Sequence, residues 1–278
     1  MIGFTRPVSC DIWKVMRGWT SRCALVIFLL AAGCVHFKQS IFRPRKIPAG
    51  VEPEVVRLKE GDGVEIEGWF FWKAAPHTLL VFHGAGGNLY TYVPALNALF
   101  TELQVNVFAI DYRGYGRSSG EPSEPGIYAD ALRAYDYLVG ERGIPPRRLI
   151  VYGFSLGSAP AVHLAGKREV AAVVLEGAFT AVVDAIEAMA DSMGGRAVIK
   201  TGTRLDNLGR ISSYSGRLLV MHSRDDTMIP PEQGRRLFDA SPSRRKKFLY
   251  LQGRHCRAWE DDRQNWLNGF DAVLEGLR

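Results

Sequence analysis

The stretch Leu149-Ile150-Val151-Tyr152-Gly153-Phe154-Ser155-Leu156-Gly157 is the part of the sequence from which the fold is predicted. A short apolar run, typical of a buried strand, leads directly into a Gly-x-Ser-x-Gly turn, and helix-forming residues follow up to Lys167. A serine hydroxyl is a poor nucleophile unless it stands clear of the backbone, beside a base and hydrogen-bond donors. A sharp turn from strand to helix provides this setting, and the flanking glycines permit the close backbone approach that it needs. The stretch therefore predicts that Ser155 is a nucleophile at the tip of a strand.

Short apolar runs recur along the chain and alternate with segments long enough for helices. The predicted strands are 78–82, 105–110, 149–152, 171–175, 218–221 and 248–251, and the predicted helices are 89–103, 126–139, 155–167, 231–239 and 259–277. An opening hairpin is predicted from the alternating segments 55–58 and 64–69. The pattern predicts an α/β fold with a mostly parallel central sheet flanked by helices. Sites in such sheets lie at the carboxyl ends of the strands.

The predicted strand that ends at Phe82 runs into the glycine-rich loop His83-Gly84-Ala85-Gly86-Gly87-Asn88. A phosphate-binding loop is excluded because no Lys-Ser or Lys-Thr pair follows it. A simple turn remains an alternative. If Ser155 is the nucleophile, the loop is expected to point a backbone N–H at the oxyanion of the reaction, and the expected donors are the N–H groups of Ala85 and Leu156.

A base and a carboxylate are also available at predicted strand ends. Asp225 and Asp226 follow the strand 218–221, and His255 follows the last strand, 248–251. A catalytic histidine needs a carboxylate that fixes its tautomer and stabilises the imidazolium. Asp226 is the preferred acid, while Asp225 and Glu176 remain alternatives, since Glu176 also ends a predicted strand. The chain order is then serine, acid, histidine.

These motifs resemble the α/β-hydrolase superfamily from about residue 68 to the C-terminus. The resemblance is strongest for compact serine hydrolases related to the eukaryotic α/β-hydrolase-domain proteins, some of which are protein depalmitoylases. It rests on the following segments: 83–88, 111–116, 153–157, 176–180, 205–208 and 222–230. The resemblance implies an α/β-hydrolase fold with a short cap insertion, at about 181–211, and places the catalytic aspartate on Asp226. The chain departs from the family pattern at Ser223, Arg254 and Cys256, and Arg254 is expected to alter access or to favour an anionic substrate.

The N-terminal region predicts export. The apolar run 24–32 is preceded by basic residues and followed by Gly33-Cys34. It is too short to cross a bilayer, and its length is typical of a signal-peptide core. We expect residues 1–33 to be a lipoprotein-type signal peptide and Cys34 to be lipidated, with Met16 as an alternative translation start. A plain signal peptide and an uncleaved anchor are the alternatives. Residues 34–52 are then a linker, and 53–278 form the α/β-hydrolase domain.

Composition and charge narrow the function classes. The chain of 278 residues is 47% hydrophobic and carries a formal charge of +6, of which +3 lies in residues 1–33. The remaining mixed surface is not typical of a nucleic-acid-binding protein. No cysteine spacing typical of a metal site is present.

Taken together, the sequence predicts a serine hydrolase that cleaves an acyl ester or thioester by a Ser155, His255 and Asp226 triad. The expected substrate is a small-molecule or lipid-like acyl compound, without cofactor, metal or nucleic acid. A monomer is expected, lipid-anchored in the bacterial cell envelope and facing the periplasm. A peptidase or amidase, and a non-catalytic interaction protein of the envelope, are the alternative functions.

Overall fold

A mixed sheet forms the centre of the structure, a computed structural model that describes residues 52–59, 61–192 and 203–278. Its strands are β1 (Glu54–Lys59), β2 (Glu65–Phe71), β3 (His77–Phe82), β4 (Val105–Ile110), β5 (Leu149–Phe154), β6 (Ala172–Glu176), β7 (Arg217–Ser223) and β8 (Lys246–Leu251). They lie in the order β1-β2-β4-β3-β5-β6-β7-β8. Among the described strands, only the β1–β2 and β2–β4 pairs are antiparallel, so the prediction of a mostly parallel sheet is confirmed.

Helices cover both faces of this sheet. They are α1 (Leu89–Glu102), α2 (Glu124–Asp136), α3 (Ser158–Ala165), α4 (Val182–Ser192), α5 (Asn207–Ile211), α6 (Pro231–Ala240), α7 (Ala258–Asp261) and α8 (Arg263–Glu275). Buried side chains of α2, α3 and α5 form one core with the sheet, and those of α1 and α8 form the other. All residues of β4, β5 and β6 are buried, which explains why their sequences are continuously apolar rather than alternating.

Polar residues fix where the helices start. The Asn88 side chain accepts a hydrogen bond from the Thr91 N–H and caps α1, directly after the glycine-rich loop. Ser123 caps α2 in the same way, and the Asp206 carboxylate accepts from the Gly209 N–H at the start of α5. The helix starts near the carboxyl edge of the sheet are therefore set by local hydrogen bonds.

The prediction of a single helix over 259–277 is wrong. The segment forms two helices, α7 and α8, which are separated at Asp262, where φ is −145°. The break follows from bonds to the loop that bears His255. Asp262 Oδ2 accepts the Gln252 N–H at 2.9 Å, and Asp261 Oδ2 accepts the Arg254 N–H at 2.9 Å. These carboxylates support the loop after β8, at the expense of helix continuity.

Two other predicted helices differ in their bounds. The segment 155–167 begins with a single 3₁₀ turn, Ser155–Gly157, before α3. The segment 126–139 starts two residues earlier than predicted and ends in a π turn, Tyr137–Glu141.

Several predictions fall on residues that the structure does not describe. The leader 1–33, the lipidation site Cys34 and the linker up to residue 51 lie outside the described residues, as do residues 193–202 of the predicted cap. The described parts of that cap region are residues 181–192, which contain α4, and residues 203–211, which contain α5. Among the residues that the structure describes, no helix combines the length and apolarity needed to cross a bilayer.

Candidate active site

Ser155 lies in the tight turn that joins β5 to α3, at the carboxyl edge of the sheet. Its φ is +52°, in the left-handed region that residues other than glycine rarely adopt. A Cβ added at Gly153 would lie 2.2 Å from the Gly157 carbonyl oxygen, and one added at Gly157 would lie 1.9 Å from that of Phe82. Because neither site has room for a side chain, the two glycines allow the turn to present Ser155 at the end of the strand.

A chain of hydrogen bonds braces this turn from the side of α5. Ser158 Oγ donates to the Ser155 carbonyl oxygen at 2.7 Å. Asn207 Nδ2 in turn donates to Ser158 Oγ at 3.0 Å and to the Phe179 carbonyl oxygen at 2.9 Å, and Asn207 is completely buried. The brace connects the turn that bears Ser155 with the start of α5 and with Phe179, just after β6.

The structure brings Ser155, His255 and Asp226 together, as the sequence predicts. His255 Nε2 lies 2.9 Å from Ser155 Oγ, and His255 Nδ1 lies 2.6 Å from Asp226 Oδ2. The Asp226 side chain is fully buried, whereas 13% of the His255 side chain is exposed. The imidazole therefore spans from a buried carboxylate to a serine hydroxyl beside solvent, which is the geometry of a proton-accepting base.

Asp226 is held as a carboxylate by its partners. Its Oδ1 accepts the backbone N–H groups of Met228 and Ile229, both at 2.9 Å. Burial alone would raise the pKa of the Asp226 carboxyl, but hydrogen bonds from His222 and His255 outweigh it and hold that pKa well below its usual range.

The two alternative acids have other partners. Asp225 is exposed, and its Oδ2 lies 3.4 Å from the Gly253 N–H, not on the histidine ring. Glu176 ends β6 and is buried, and its Oε2 accepts hydrogen bonds from the Tyr152 hydroxyl and, at 2.8 Å, from Trp266 Nε1. Burial raises the pKa of the Glu176 carboxyl above its usual value. Of the three candidates, Asp226 is the one in contact with His255.

The glycine-rich loop packs against Ser155. A Cβ added at Gly84 would lie 3.3 Å from Ser155 Cβ. The ring of His83 is buried, and its Nδ1 lies 2.8 Å from the Gly84 carbonyl oxygen. Because a trans peptide directs its C=O and N–H in opposite directions, this contact turns the Ala85 N–H away from the His83 ring. The roles of Ala85 and Leu156 as oxyanion donors stay predictions.

Comparison with known proteins shows the family. A family model for the alpha/beta hydrolase fold matches residues 77–197. An uncharacterized protein of Mycobacterium tuberculosis is 31% identical over 246 residues, which are 86% of this chain and 82% of that protein. The chain belongs to the α/β-hydrolase family.

Two further similarities agree with this result. Protein bem46 of Schizosaccharomyces pombe is 29% identical to this α/β hydrolase over 264 residues, which are 87% of each chain. Among solved structures, the esterase Pf2001 of Pyrococcus furiosus superposes with a TM-score of 0.71 at 17% identity, covering 85% of this chain and 97% of that one. The likeness to Pf2001 supports the fold.

Cys256 is a member of the site that the sequence marked only as a departure from the family pattern. Its φ is +49°, and its Sγ lies 3.6 Å from both His255 Nε2 and the Glu176 carbonyl oxygen. A Cβ added at Gly177 would lie 2.6 Å from this sulfur. Although the residue as a whole is half-buried, burial of its sulfur raises the pKa of the Cys256 thiol well above its usual value, and the thiol stays neutral.

His222 is a second residue whose contact with the acid the sequence did not reveal. It is completely buried, and its Nε2 lies 2.9 Å from the Ile229 carbonyl oxygen and 3.4 Å from Asp226 Oδ2. His222 thus lies beside the same carboxylate oxygen, Oδ2, that contacts His255. The spacing of four residues between His222 and Asp226 at a strand end was the available signal.

The described residues also contain a cavity away from the triad. It has a volume of about 690 Å³ and is lined by residues of α2, α3 and α5, among them Tyr128, His163 and Arg210. Ser155, His255 and Asp226 are not part of its lining. Within the described ranges, no group of three His, Cys, Asp or Glu side chains is arranged to hold a metal ion.

Proposed function

We propose that this α/β hydrolase is a serine hydrolase that cleaves an acyl ester or thioester through an acyl-enzyme. Membership of the family supports hydrolysis. The observation that carries the finer proposal is the pair of contacts at His255, 2.9 Å from Nε2 to Ser155 Oγ and 2.6 Å from Nδ1 to Asp226 Oδ2. A nucleophile, a base that touches it and a carboxylate that orients the base are the groups that acyl transfer requires.

In the first half of the reaction, His255 Nε2 takes the proton of Ser155 as Oγ attacks the acyl carbon. The carbonyl oxygen becomes an oxyanion, which accepts hydrogen bonds from the N–H groups of Ala85 and Leu156. The imidazolium, stabilised by Asp226, then gives its proton to the departing alcohol or thiol, and the acyl group remains on Ser155.

In the second half, water replaces the leaving group. His255 Nε2 takes a proton from the water as the water oxygen attacks the acyl-enzyme, and a second oxyanion forms at the same donors. The bond to Ser155 Oγ breaks, the proton returns from His255 to that oxygen, and the carboxylic acid leaves. The hydrogen bonds that keep Asp226 ionised serve both halves, because each passes through an imidazolium.

We propose a short- to medium-chain acyl group in a small-molecule or lipid-like substrate. The short insertion between β6 and β7 supports a small cap, and the structural likeness to Pf2001, which is an esterase, supports an ester. The resemblance to α/β-hydrolase-domain proteins, some of which are protein depalmitoylases, supports a thioester as a substrate as well.

The test is hydrolysis by the full chain of p-nitrophenyl esters from acetate to palmitate, of thioesters with the same acyl groups and of the matching p-nitroanilides. We expect turnover of esters or thioesters that falls by more than about 10⁴-fold in Ser155→Ala. Ser213→Ala changes an exposed serine away from the triad and is the matched control. Preferred cleavage of the anilides would favour an amidase. No cleavage of any substrate by the folded wild type would favour a non-catalytic protein.

The cellular location is a separate proposal. We propose that the protein is held in the bacterial cell envelope by a lipid on Cys34, and that it acts as a monomer. The support for the lipid anchor is the sequence before Cys34, in which basic residues are followed by an apolar run and then by small residues. Radiolabelled palmitate should be incorporated in a bacterial host by the wild type and by Cys23→Ser, but not by Cys34→Ser. Equal labelling of Cys34→Ser would contradict the proposal.

A further inference from the structure

A buried serine connects the loop that bears the acid with the loop that bears the base. Ser223 is the last residue of β7, is 5% exposed, and donates a hydrogen bond from Oγ to the Gly253 carbonyl oxygen. The same Oγ accepts the Asp225 N–H at 3.2 Å. Asp226 follows Ser223 by three residues, and His255 follows Gly253 by two. The hydroxyl therefore joins the two loops close to the contact between Asp226 and His255.

Gly253 is held by the acid loop on both of its polar groups. Its carbonyl oxygen accepts from Ser223 Oγ, and its N–H donates to Asp225 Oδ2 at 3.4 Å. Just before this point, the Arg224 N–H donates to the Leu251 carbonyl oxygen at 2.9 Å, at the end of the β7–β8 pairing. The hydrogen bonds between the two loops thus continue beyond the sheet, and the bond from the buried Ser223 side chain ends at Gly253, two residues before His255.

The other end of the same strand pair carries a similar serine. Ser243 is 3% exposed, its Oγ donates to the Gly216 carbonyl oxygen at 2.5 Å, and that Oγ accepts the N–H of Arg245, two residues further on. Ser223 has the same two kinds of partner, a glycine carbonyl on the other segment and the N–H two residues further on. The two serines differ in place, since Ser243 lies before β8, at the edge of the sheet opposite the triad.

We propose that Ser223 is a positioning residue for the proposed reaction, and that its hydroxyl holds His255 at the right distance from both Asp226 and Ser155. This inference rests on the proposed serine-hydrolase function. Removing the hydroxyl leaves the Gly253 carbonyl and the Asp225 N–H without this partner, and we expect the base loop to be held less firmly relative to the acid loop. Reaction rates are sensitive to displacements of the base on the order of 1 Å, which can cost about 10²-fold.

The experiment compares Ser223→Ala with Ser243→Ala in the full chain. Both variants lose an equivalent buried hydroxyl, so we expect the midpoint of thermal unfolding to fall by a similar amount in each. Only Ser223→Ala is expected to lower kcat, by about tenfold with KM unchanged, because acyl binding does not use the residue. Ser223→Thr keeps a hydroxyl and is expected to restore most of kcat. Equal kcat values in the two alanine variants, or a Ser223→Thr variant as slow as Ser223→Ala, would overturn the proposal.

Two further measurements keep the test decisive. The proton between His255 Nδ1 and Asp226 can be followed by its downfield ¹H NMR signal, which we expect to shift or broaden in Ser223→Ala and to persist in Ser243→Ala. This readout does not depend on turnover, so it tests the positioning role even if no substrate is hydrolysed. If Ser223→Ala does not fold, Asp225→Ala removes the other bond to Gly253 from an exposed residue and is expected to lower kcat in the same direction. An unchanged signal and an unchanged kcat in whichever variant folds would contradict the inference.

Discussion

Two buried carboxyl groups lie at the ends of neighbouring strands, Glu176 at the end of β6 and Asp226 after β7. Their pKa values are shifted in opposite directions. Asp226, after β7, accepts hydrogen bonds from backbone N–H groups and from His255. Glu176, at the end of β6, accepts from the Tyr152 hydroxyl and the Trp266 indole. The pKa of Asp226 is lowered by its partners, whereas burial raises the pKa of Glu176.

The difference shows that a carboxyl group at the carboxyl edge of the sheet does not contact the histidine merely because it lies there. In the loop after β7, the backbone N–H groups of Met228 and Ile229 donate to Asp226. The side chains of His222, in β7, and His255, in the loop after β8, also contact this carboxylate. The side chain of Glu176 instead lies on the face covered by α8, where Trp266 is buried. The Asp226 carboxylate is held in its charged form beside the His255 imidazole, and the Glu176 carboxyl group connects β5 with α8 through Tyr152 and Trp266.

The largest expected effect is on catalysis. Asp226→Asn should lower kcat by about 10⁴-fold, because an amide cannot stabilise the imidazolium and favours the wrong tautomer of His255. Glu176→Gln, the matched control at the neighbouring strand, should change kcat by less than about threefold. Steady-state kinetics on the best ester measures both. If Glu176→Gln were the slower variant, the assignment of the acid would be reversed.

A smaller effect is expected on stability. Trp266→Phe keeps the aromatic packing of α8 but removes the Nε1 donor, which lies 2.8 Å from Glu176 Oε2. Losing a partner of a buried carboxyl group should lower the free energy of unfolding by about 1–3 kcal/mol, with kcat nearly unchanged. Urea unfolding provides the measurement. A large fall in kcat at unchanged stability would show that Glu176 takes part in the reaction.

The pH dependence of stability should separate the two carboxyl groups by sign. The folded-state pKa of Asp226 is below its usual 3.8, so its stabilisation is full above that pH and is lost as the pH falls through the folded pKa. The folded-state pKa of Glu176 is above its usual 4.5, so the folded state loses stability as the pH rises from 4.5 through the raised value.

Unfolding of the two variants over a pH series tests this difference. The stability deficit of Asp226→Asn relative to wild type should shrink below pH 3.8. Glu176→Gln should gain relative to wild type as the pH rises above 4.5. Parallel curves for wild type and both variants would show that neither pKa is displaced by folding.

Much of the site could be predicted because its members lie at strand ends. A strand of continuous apolar residues followed by Gly-x-Ser-x-Gly predicted the place of Ser155, and the last strand did the same for His255. The family resemblance, more than spacing, favoured Asp226 over Asp225. These predictions depend on local sequence and on the single rule that parallel strands end at one edge.

The remaining features depend on contacts between distant segments. Trp266 is 90 residues from Glu176 in the chain, and nothing near either residue indicates their bond. Asp262 reads as part of a helix until its carboxylate is seen to accept the Gln252 N–H. Cys256 appeared only as an unusual neighbour of His255, and its contact with the Glu176 carbonyl follows from how β6 and the last loop meet.

The most direct test of the triad is the rate at which a fluorophosphonate labels the intact chain, with the labelled residue identified by mass spectrometry. We predict one label, on Ser155, at similar rates in wild type and Glu176→Gln. Labelling should be absent in Ser155→Ala and slower by about 10³-fold or more in Asp226→Asn. A label on another residue, or an Asp226→Asn variant that reacts as fast as wild type, would contradict the claim that Ser155, His255 and Asp226 act together.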